Sequence, residues 1–185
     1  MTNWTFKTSR FEAQLLGEGD QELYASLYTD PQVMAHIGPP LTRERAEAAF
    51  VRVCRGNEHP SGRMRCWRLS HRESGDVVGV VALSCATDNP SRAELGIMLL
   101  PAWHARGVTT AVLKTLVDVV MRDDWCLGIV ELIGRHAAGN RAARVIQVLG
   151  FDEAPGPGEY VEWRLTRARW QASLGTRTVS ERTDH

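Results

Sequence analysis

Apolar positions recur along the chain with two periods, near two and near 3.6 residues, and the switches between them mark its elements. Residues 4–16 alternate loosely and predict an edge strand carrying Phe11 and Leu15. Helical spacing takes over from Gly19 to about Leu27, with Asp20 at the N-cap ahead of Leu23, Tyr24 and Leu27. Asp30-Pro31 restarts a short segment, which Gly38-Pro39-Pro40 ends. Thr42 then caps an amphipathic helix whose Ala46, Ala49, Phe50 and Val53 share one face, and residues 56–62 read as a loop. Residues 64–70 and 77–84 predict two strands paired through the turn Glu73-Ser74-Gly75-Asp76. After a polar loop, residues 93–100 form a third strand that Pro101 stops. Residues 108–121 follow as a helix striped by Val112, Leu113, Leu116, Val117, Val120 and Met121. Residues 127–134 predict a buried strand and 140–149 a short helix with Gly150 at its C-terminal cap. Beyond Pro155-Gly156-Pro157-Gly158, residues 160–166 form a last strand, and the polar, aperiodic stretch from Ser173 is expected to be disordered.

Helices and strands mix without strict β-α-β alternation, which predicts an α+β fold on a mixed sheet. With 185 residues and no composition break, the chain is expected to form one domain, residues 1–172, followed by the tail 173–185. A chain of this size buries enough surface to fold without disulfides or a structural metal. Basic and acidic residues balance at 22 each, without a basic run, which argues against nucleic acid and anionic membranes as partners. Cys54, Cys66, Cys85 and Cys126 are scattered, with no metal-ligand spacing, and read as free thiols of a cytoplasmic protein. No signal-like apolar run and no stretch of about 20 apolar residues is present.

Candidate chemistry concentrates in Leu99-Leu100-Pro101-Ala102-Trp103-His104-Ala105-Arg106-Gly107-Val108-Thr109-Thr110-Ala111, where a strand turns tightly into a helix. A helix start exposes unpartnered amides with partial positive charge, which suits a phosphate. Gly107 permits a positive φ or a close approach of backbone to the anion. Arg106 adds a full charge and forked donors, and Thr109 and Thr110 either cap the helix or offer hydroxyls.

Residues 103–111 resemble the acyl-CoA signature of the GNAT superfamily, Gln/Arg-x-x-Gly-x-Gly/Ala followed by a helix. Ala93-Glu94-Leu95-Gly96-Ile97 is similar to a strand of that superfamily's ribosomal-protein-alanine acetyltransferase branch. Asn140-Arg141-Ala142-Ala143-Arg144-Val145-Ile146-Gln147-Val148-Leu149-Gly150-Phe151 resembles the branch's Asn-x-x-Ser-x-x-Val-x-x-x-Leu-Gly-Phe. The resemblance spans roughly residues 5–170 and implies a mixed, mostly antiparallel sheet, flanked by helices. The sheet splays into a V between the Glu94 strand and the 127–134 strand. It also implies an acyl-CoA cosubstrate, acetyl-CoA first, whose pantetheine arm pairs near Met98, Leu99 and Leu100. The pyrophosphate is expected on the loop and helix start formed by His104, Ala105, Arg106, Gly107, Val108, Thr109 and Thr110, with Asn140 near the pantetheine end. His104 departs from the usual Gln or Arg, and Thr109 from Gly or Ala.

Acylating an amine requires taking up its proton, and Glu94 stands where many relatives have the general base or hold the water that relays to it. The alternative for Glu94 is a carboxylate that only braces a neighbouring strand. Many relatives carry Tyr at the position of Ile146, and this branch often has Ser at that of Ala143; both hydroxyl groups, the candidates for an acid, are absent here. Nothing flanking Cys85 or Cys126 suggests thiolate activation, which favours direct transfer over an acyl-enzyme. Tyr28, His36, Trp67 and His136 are candidates for the acceptor cleft; each alternatively reads as core or loop. Three functions remain at this point: acetylation of a protein or peptide α-amine, acetylation of a small-molecule amine, or CoA binding without turnover. A monomer or a homodimer is expected.

Overall fold

A single sheet, most of it built by alternating apolar residues, comprises β1 (Phe6–Lys7), β2 (Phe11–Leu15), β3 (Met64–His71), β4 (Val77–Cys85), β5 (Arg92–Leu99), β6 (Glu131–Ala137), β7 (Asp152–Ala154) and β8 (Tyr160–Thr166). The computed structural model describes residues 4–35, 37–59, 63–137, 140, 142–156, 158 and 160–180. Strand order is β1-β2-β3-β4-β5-β6-β8-β7, and only β5 and β6 pair in parallel. The helices are α1 (Gln21–Thr29), α2 (Pro31–Met34), α3 (Arg43–Glu58), α4 (Val108–Arg122), α5 (Ala142–Val148) and α6 (Arg167–Ser180). This is the expected α+β architecture with a mixed, mostly antiparallel sheet.

Strand parity divides the core. Trp67, Leu69, Val81, Leu83 and Ala93 point to one face, where the α4 stripe of Val112, Leu116 and Val120 covers them. Cys66, Val80 and Met98 point to the other, against Tyr24 and Leu27 of α1 and Phe50 and Val53 of α3. No helix among the described residues is long and apolar enough to cross a membrane.

Several elements differ from the sequence expectation. The one edge strand expected over residues 4–16 is two, β1 and β2, paired antiparallel with Phe6 opposite Ala13. The strand expected at 127–134 begins only at Glu131, because Cys126 and Gly128 both take positive φ (55° and 66°) and wind the preceding segment into a turn. The Gly128 amide donates to Asp123 Oδ1 (2.9 Å) within that turn, so Ile129 is buried without being in a strand. α3 continues past Gly56 to Glu58, and the buried Asn57 explains why: its amide clamps two strand ends. Asn57 Nδ2 donates to the carbonyls of Leu16 (3.1 Å) and Cys66 (2.9 Å), and its Oδ1 accepts from the Cys66 amide (2.9 Å). α1 starts at Gln21, after a 3-10 turn over Glu18–Asp20, and Asp20 turns its side chain back to the Gly17 amide (2.9 Å). The chain is helical through Ser180, beyond the point where a tail was expected to begin. Buried Trp170, whose Nε1 donates to Asp118 of α4 (2.9 Å), docks that helix. β7, three residues of polar character, gives no periodic signal to read.

Candidate active site

β5 and β6 pair from Arg92 opposite Glu131 to Leu95 opposite Gly134, and there they part. Beyond that point the rest of β5 keeps only β4, and Arg135, His136 and Ala137 keep only β8. Ile146 of α5 packs over the apex, where a β-carbon on Gly134 would stand 3.5 Å from its Cδ1. The gap is a cleft of about 450 Å³ that takes in Glu94, Gly96, Ile97 and Met98 from β5 and Gly134, Arg135 and His136 from β6. Thr109 and Leu113 of α4, Asn140, and Val145 and Ile146 of α5 also line it.

The open edge of β5 can be read from its hydrogen bonds. The Leu100 amide donates to Val78 (2.9 Å), so alternation turns the backbone groups of Ile97 and Leu99 away from β4, toward the cleft. His104 Nε2 donates to the Leu99 carbonyl (3.0 Å), which ties the following loop to the strand end. In that loop Ala105 takes φ 58° and Gly107, the N-cap of α4, takes φ 73°. A non-glycine residue in the left-handed region costs about 1 kcal/mol or more and is held there by its surroundings. No side chain caps the helix, and its first carbonyl acceptor, Gly107, receives the Ala111 amide (3.2 Å). The amides of Val108, Thr109 and Thr110 therefore open onto an uncapped helix start that faces a cation-bearing loop. Arg106 stacks over Trp103 (5.2 Å to the ring centre), and Arg10 Nη1 donates to the Arg106 carbonyl (3.2 Å), which brings a second guanidinium to the loop.

At the apex, Glu94 is joined to a charged chain. Arg135 Nη1 donates to Glu94 Oε2 (2.7 Å), while Arg135 Nε and Nη2 reach Glu162 Oε2 (2.8 and 2.7 Å). Arg164 holds the other Glu162 oxygen through Nε and Nη2, both at 2.7 Å. Burial pushes the Glu162 carboxyl up, but the hydrogen bonds from Arg164 and Arg135 outweigh it and hold the group below its ordinary value.

Residues 10–152 match the family model described as "Acetyltransferase (GNAT) domain". The chain belongs to the GNAT acetyltransferase family. No curated protein matches it in sequence. Among solved structures, this GNAT chain is similar to an acetyltransferase from Agrobacterium tumefaciens str. C58 at 20% identity, covering 89% of this chain and 95% of that one, with a TM-score of 0.73. Spermidine N-acetyltransferase from Vibrio cholerae, solved with CoA and spermine, is 15% identical over 88% of this chain and 99% of its own, with a TM-score of 0.73. Ribosomal-protein-S5-alanine acetyltransferase from Vibrio fischeri is 13% identical over 90% and 98%, with a TM-score of 0.71. At these identities the likeness is one of fold.

Within the GNAT cleft the sequence candidates separate. Glu94, Met98, Thr109, Asn140, Tyr28 and His136 all line it. Trp67 does not: it is fully buried on the α4 face, stacked on Trp125 (5.5 Å), with Nε1 donating to the Trp4 carbonyl. The error is one residue of strand parity, since its neighbour Cys66 faces the cleft. His136 lines the cleft with both ring nitrogens engaged. Trp163 Nε1 donates to Nε2 (2.8 Å), so the proton sits on Nδ1, which donates to the Ala137 carbonyl (2.8 Å). That arrangement ties both ring nitrogens into structural hydrogen bonds at the cleft wall. His36 lies outside the described residues. Tyr28 stacks on Tyr24 (4.4 Å), and burial raises its phenol, keeping it protonated, against a lowering hydrogen bond with Tyr24. Burial also pushes the Cys66 thiol up to about 12 and raises Cys54 and Cys85, which leaves these three poor nucleophiles. Arg135 and Tyr160, whose hydroxyl donates to the Ile37 carbonyl (3.4 Å), are cleft residues that sequence reasoning missed. Neither belongs to a motif, and only the sheet register brings them to the V.

Proposed function

We propose that this GNAT chain transfers the acetyl group of acetyl-CoA directly to the α-amine of a protein or peptide N-terminus. The observation that carries the reading is Glu94, a carboxylate at the end of the stretch of β5 that pairs with β6, in the cleft that the uncapped start of α4 closes. The residues present fit the cosubstrate. The backbone of Ile97 and the amide of Leu99 offer an open strand edge to the amide groups of a pantetheine arm, and the amides of 108–110 with Arg106 and Arg10 offer donors to a pyrophosphate. The thioester supplies an activated acyl carbon and a thiolate leaving group, whose conjugate acid lies near ~8.5 for a cysteine-like thiol. Such a leaving group departs without a dedicated acid, in keeping with Ala143 and Ile146, which bring no hydroxyl to α5.

Glu94 accepts the amine's proton, directly or through one water, as the new amide bond forms. One of its oxygens is engaged by Arg135, so the base acts with the other. That suits an acceptor that is already partly neutral. At pH 7 an α-amine with a pKa near ~8 is uncharged in roughly one molecule in ten, against roughly one in a few thousand for a lysine-type amine near ~10.4. Glu94 is the one acidic residue lining the cleft among the described residues, and its charge is balanced by Arg135, which disfavours a polycation such as spermidine.

Two measurements test this. Calorimetric titration of acetyl-CoA is expected to show micromolar-range binding that an Arg106→Glu/Gly107→Trp variant loses. A panel of a free-N-terminus peptide, the same peptide N-acetylated with an internal lysine, and spermidine is expected to rank the free peptide first by at least tenfold in kcat/KM, about 1.4 kcal/mol. A preference for spermidine would overturn the acceptor assignment. Binding without turnover of any amine would leave a CoA-binding module instead.

A further inference from the structure

We propose that Arg135, braced by buried Glu162, is a positioning residue that fixes the Glu94 carboxylate at the apex of the cleft. The inference rests on the reading of Glu94 as the base. Register alone sets up the chain of contacts. Glu94 lies opposite Ile133 on β6; Arg135 is two residues further along the same face; and Arg135 lies opposite Glu162 on β8. Glu94 is thus the last residue on this face of β5 before the strands part, and Arg135 the first on β6 beyond the split.

The brace is rigid where the base is open. The Glu162 side chain is 4% exposed and has both oxygens occupied by two arginines, whereas Glu94 is 40% exposed. A guanidinium is planar, so anchoring Nε and Nη2 on Glu162 also fixes the direction of Nη1, which meets Glu94 Oε2 at 2.7 Å. An exposed ion pair between two mobile side chains would restrict little. Here one partner is already immobile, and orientation of a reacting group within about 1 Å governs rates by up to about a hundredfold. Clamping β5 to β6 does not require this contact. Arg92 and Glu131 form a cross-strand ion pair (2.8 Å) between the same two strands, outside the cleft.

The test uses acetyl-CoA and the free-N-terminus peptide with the full chain and six variants: Arg135→Gln, Arg135→Lys, Glu162→Gln, Arg92→Gln, Glu94→Gln, and Glu94→Gln combined with Arg135→Gln. Arg135→Gln is expected to lower kcat about tenfold or more while the acetyl-CoA Kd stays within about threefold. Glu162→Gln should act in the same direction, Arg135→Lys should recover part of the loss, and Arg92→Gln should leave kcat unchanged. In the Glu94→Gln background, Arg135→Gln is expected to have no further effect, because it acts through Glu94. Wild-type kcat in Arg135→Gln would overturn the proposal. So would an undiminished effect in the Glu94→Gln background, or losses of rate and of acetyl-CoA affinity that run in parallel, as a mere strand clamp would give. Full activity in Glu94→Gln alone would instead remove the base assignment, and an inactive wild type would remove the proposed function with it.

Discussion

A single methyl group on Gly79 probes how tightly the cleft wall is held. Gly79 pairs with Leu99 on β5 and takes φ 155°, and a β-carbon there would sit on the Met98 carbonyl oxygen and 2.8 Å from the Leu99 Cα. Both obstacles are backbone of the strand that presents its open edge to the cleft, so no side chain can swing away to make room. Overpacking costs about 1–3 kcal/mol when side chains can adjust, and a backbone obstacle puts Gly79→Ala at or above the top of that range. For a domain of this size each kcal/mol moves Tm by about 2–4 °C, which gives a fall of roughly 6–12 °C. Gly96→Ala is the control. It lies on the same strand pair with nothing within 4 Å of the added carbon, and stiffening the unfolded chain should hold Tm level or raise it. Thermal unfolding by circular dichroism measures both, and calorimetry below the transition should find acetyl-CoA affinity reduced in Gly79→Ala. A Gly79→Ala Tm within about 2 °C of the wild type would mean that β5 shifts without penalty and that the cleft wall is not held by this contact.

Glu94→Gln is expected to lower kcat for the free-N-terminus peptide about a hundredfold or more, with acetyl-CoA binding retained, as steady-state kinetics and calorimetry will report. His136→Phe should lose about 1–3 kcal/mol of stability by denaturant unfolding, because it strands the buried Trp163 Nε1, while kcat stays near the wild-type value. Glu162 has a folded-state carboxyl held below its ordinary 4.5, so it stabilises the fold above about pH 4.5 and loses that contribution as pH falls through the depressed value. Glu162→Gln is therefore expected to be less stable at pH 7 and to show a flatter decline on acidification; an unchanged slope would contradict the assignment.

Much of this protein was legible in the chain itself. Short-range periodicity determines where an amphipathic stripe or an alternating strand forms, so the α4 stripe, the 64–85 hairpin, the helix opened by Thr42 and the final strand at 160–166 all stand where the pattern puts them. The loop before α4 was readable in part: Gly107 offered a positive φ or a close backbone approach, and it takes the left-handed region as N-cap, with neither Thr109 nor Thr110 capping the helix. Tertiary structure decided what depends on register and on which face a side chain occupies. One residue of parity moved Trp67 from the cleft to the core and put Cys66 in its place. Two positive-φ residues, at 126 and 128, delayed β6 to Glu131, and that register is what sets Arg135 opposite Glu162 and diagonal to Glu94. His136 carries no sign in the sequence that a tryptophan from the neighbouring strand will engage its Nε2. Local pattern fixes backbone conformation, which each segment largely chooses for itself; the site's electrostatics arise between strands that are distant in sequence, where only pairing brings the charges together.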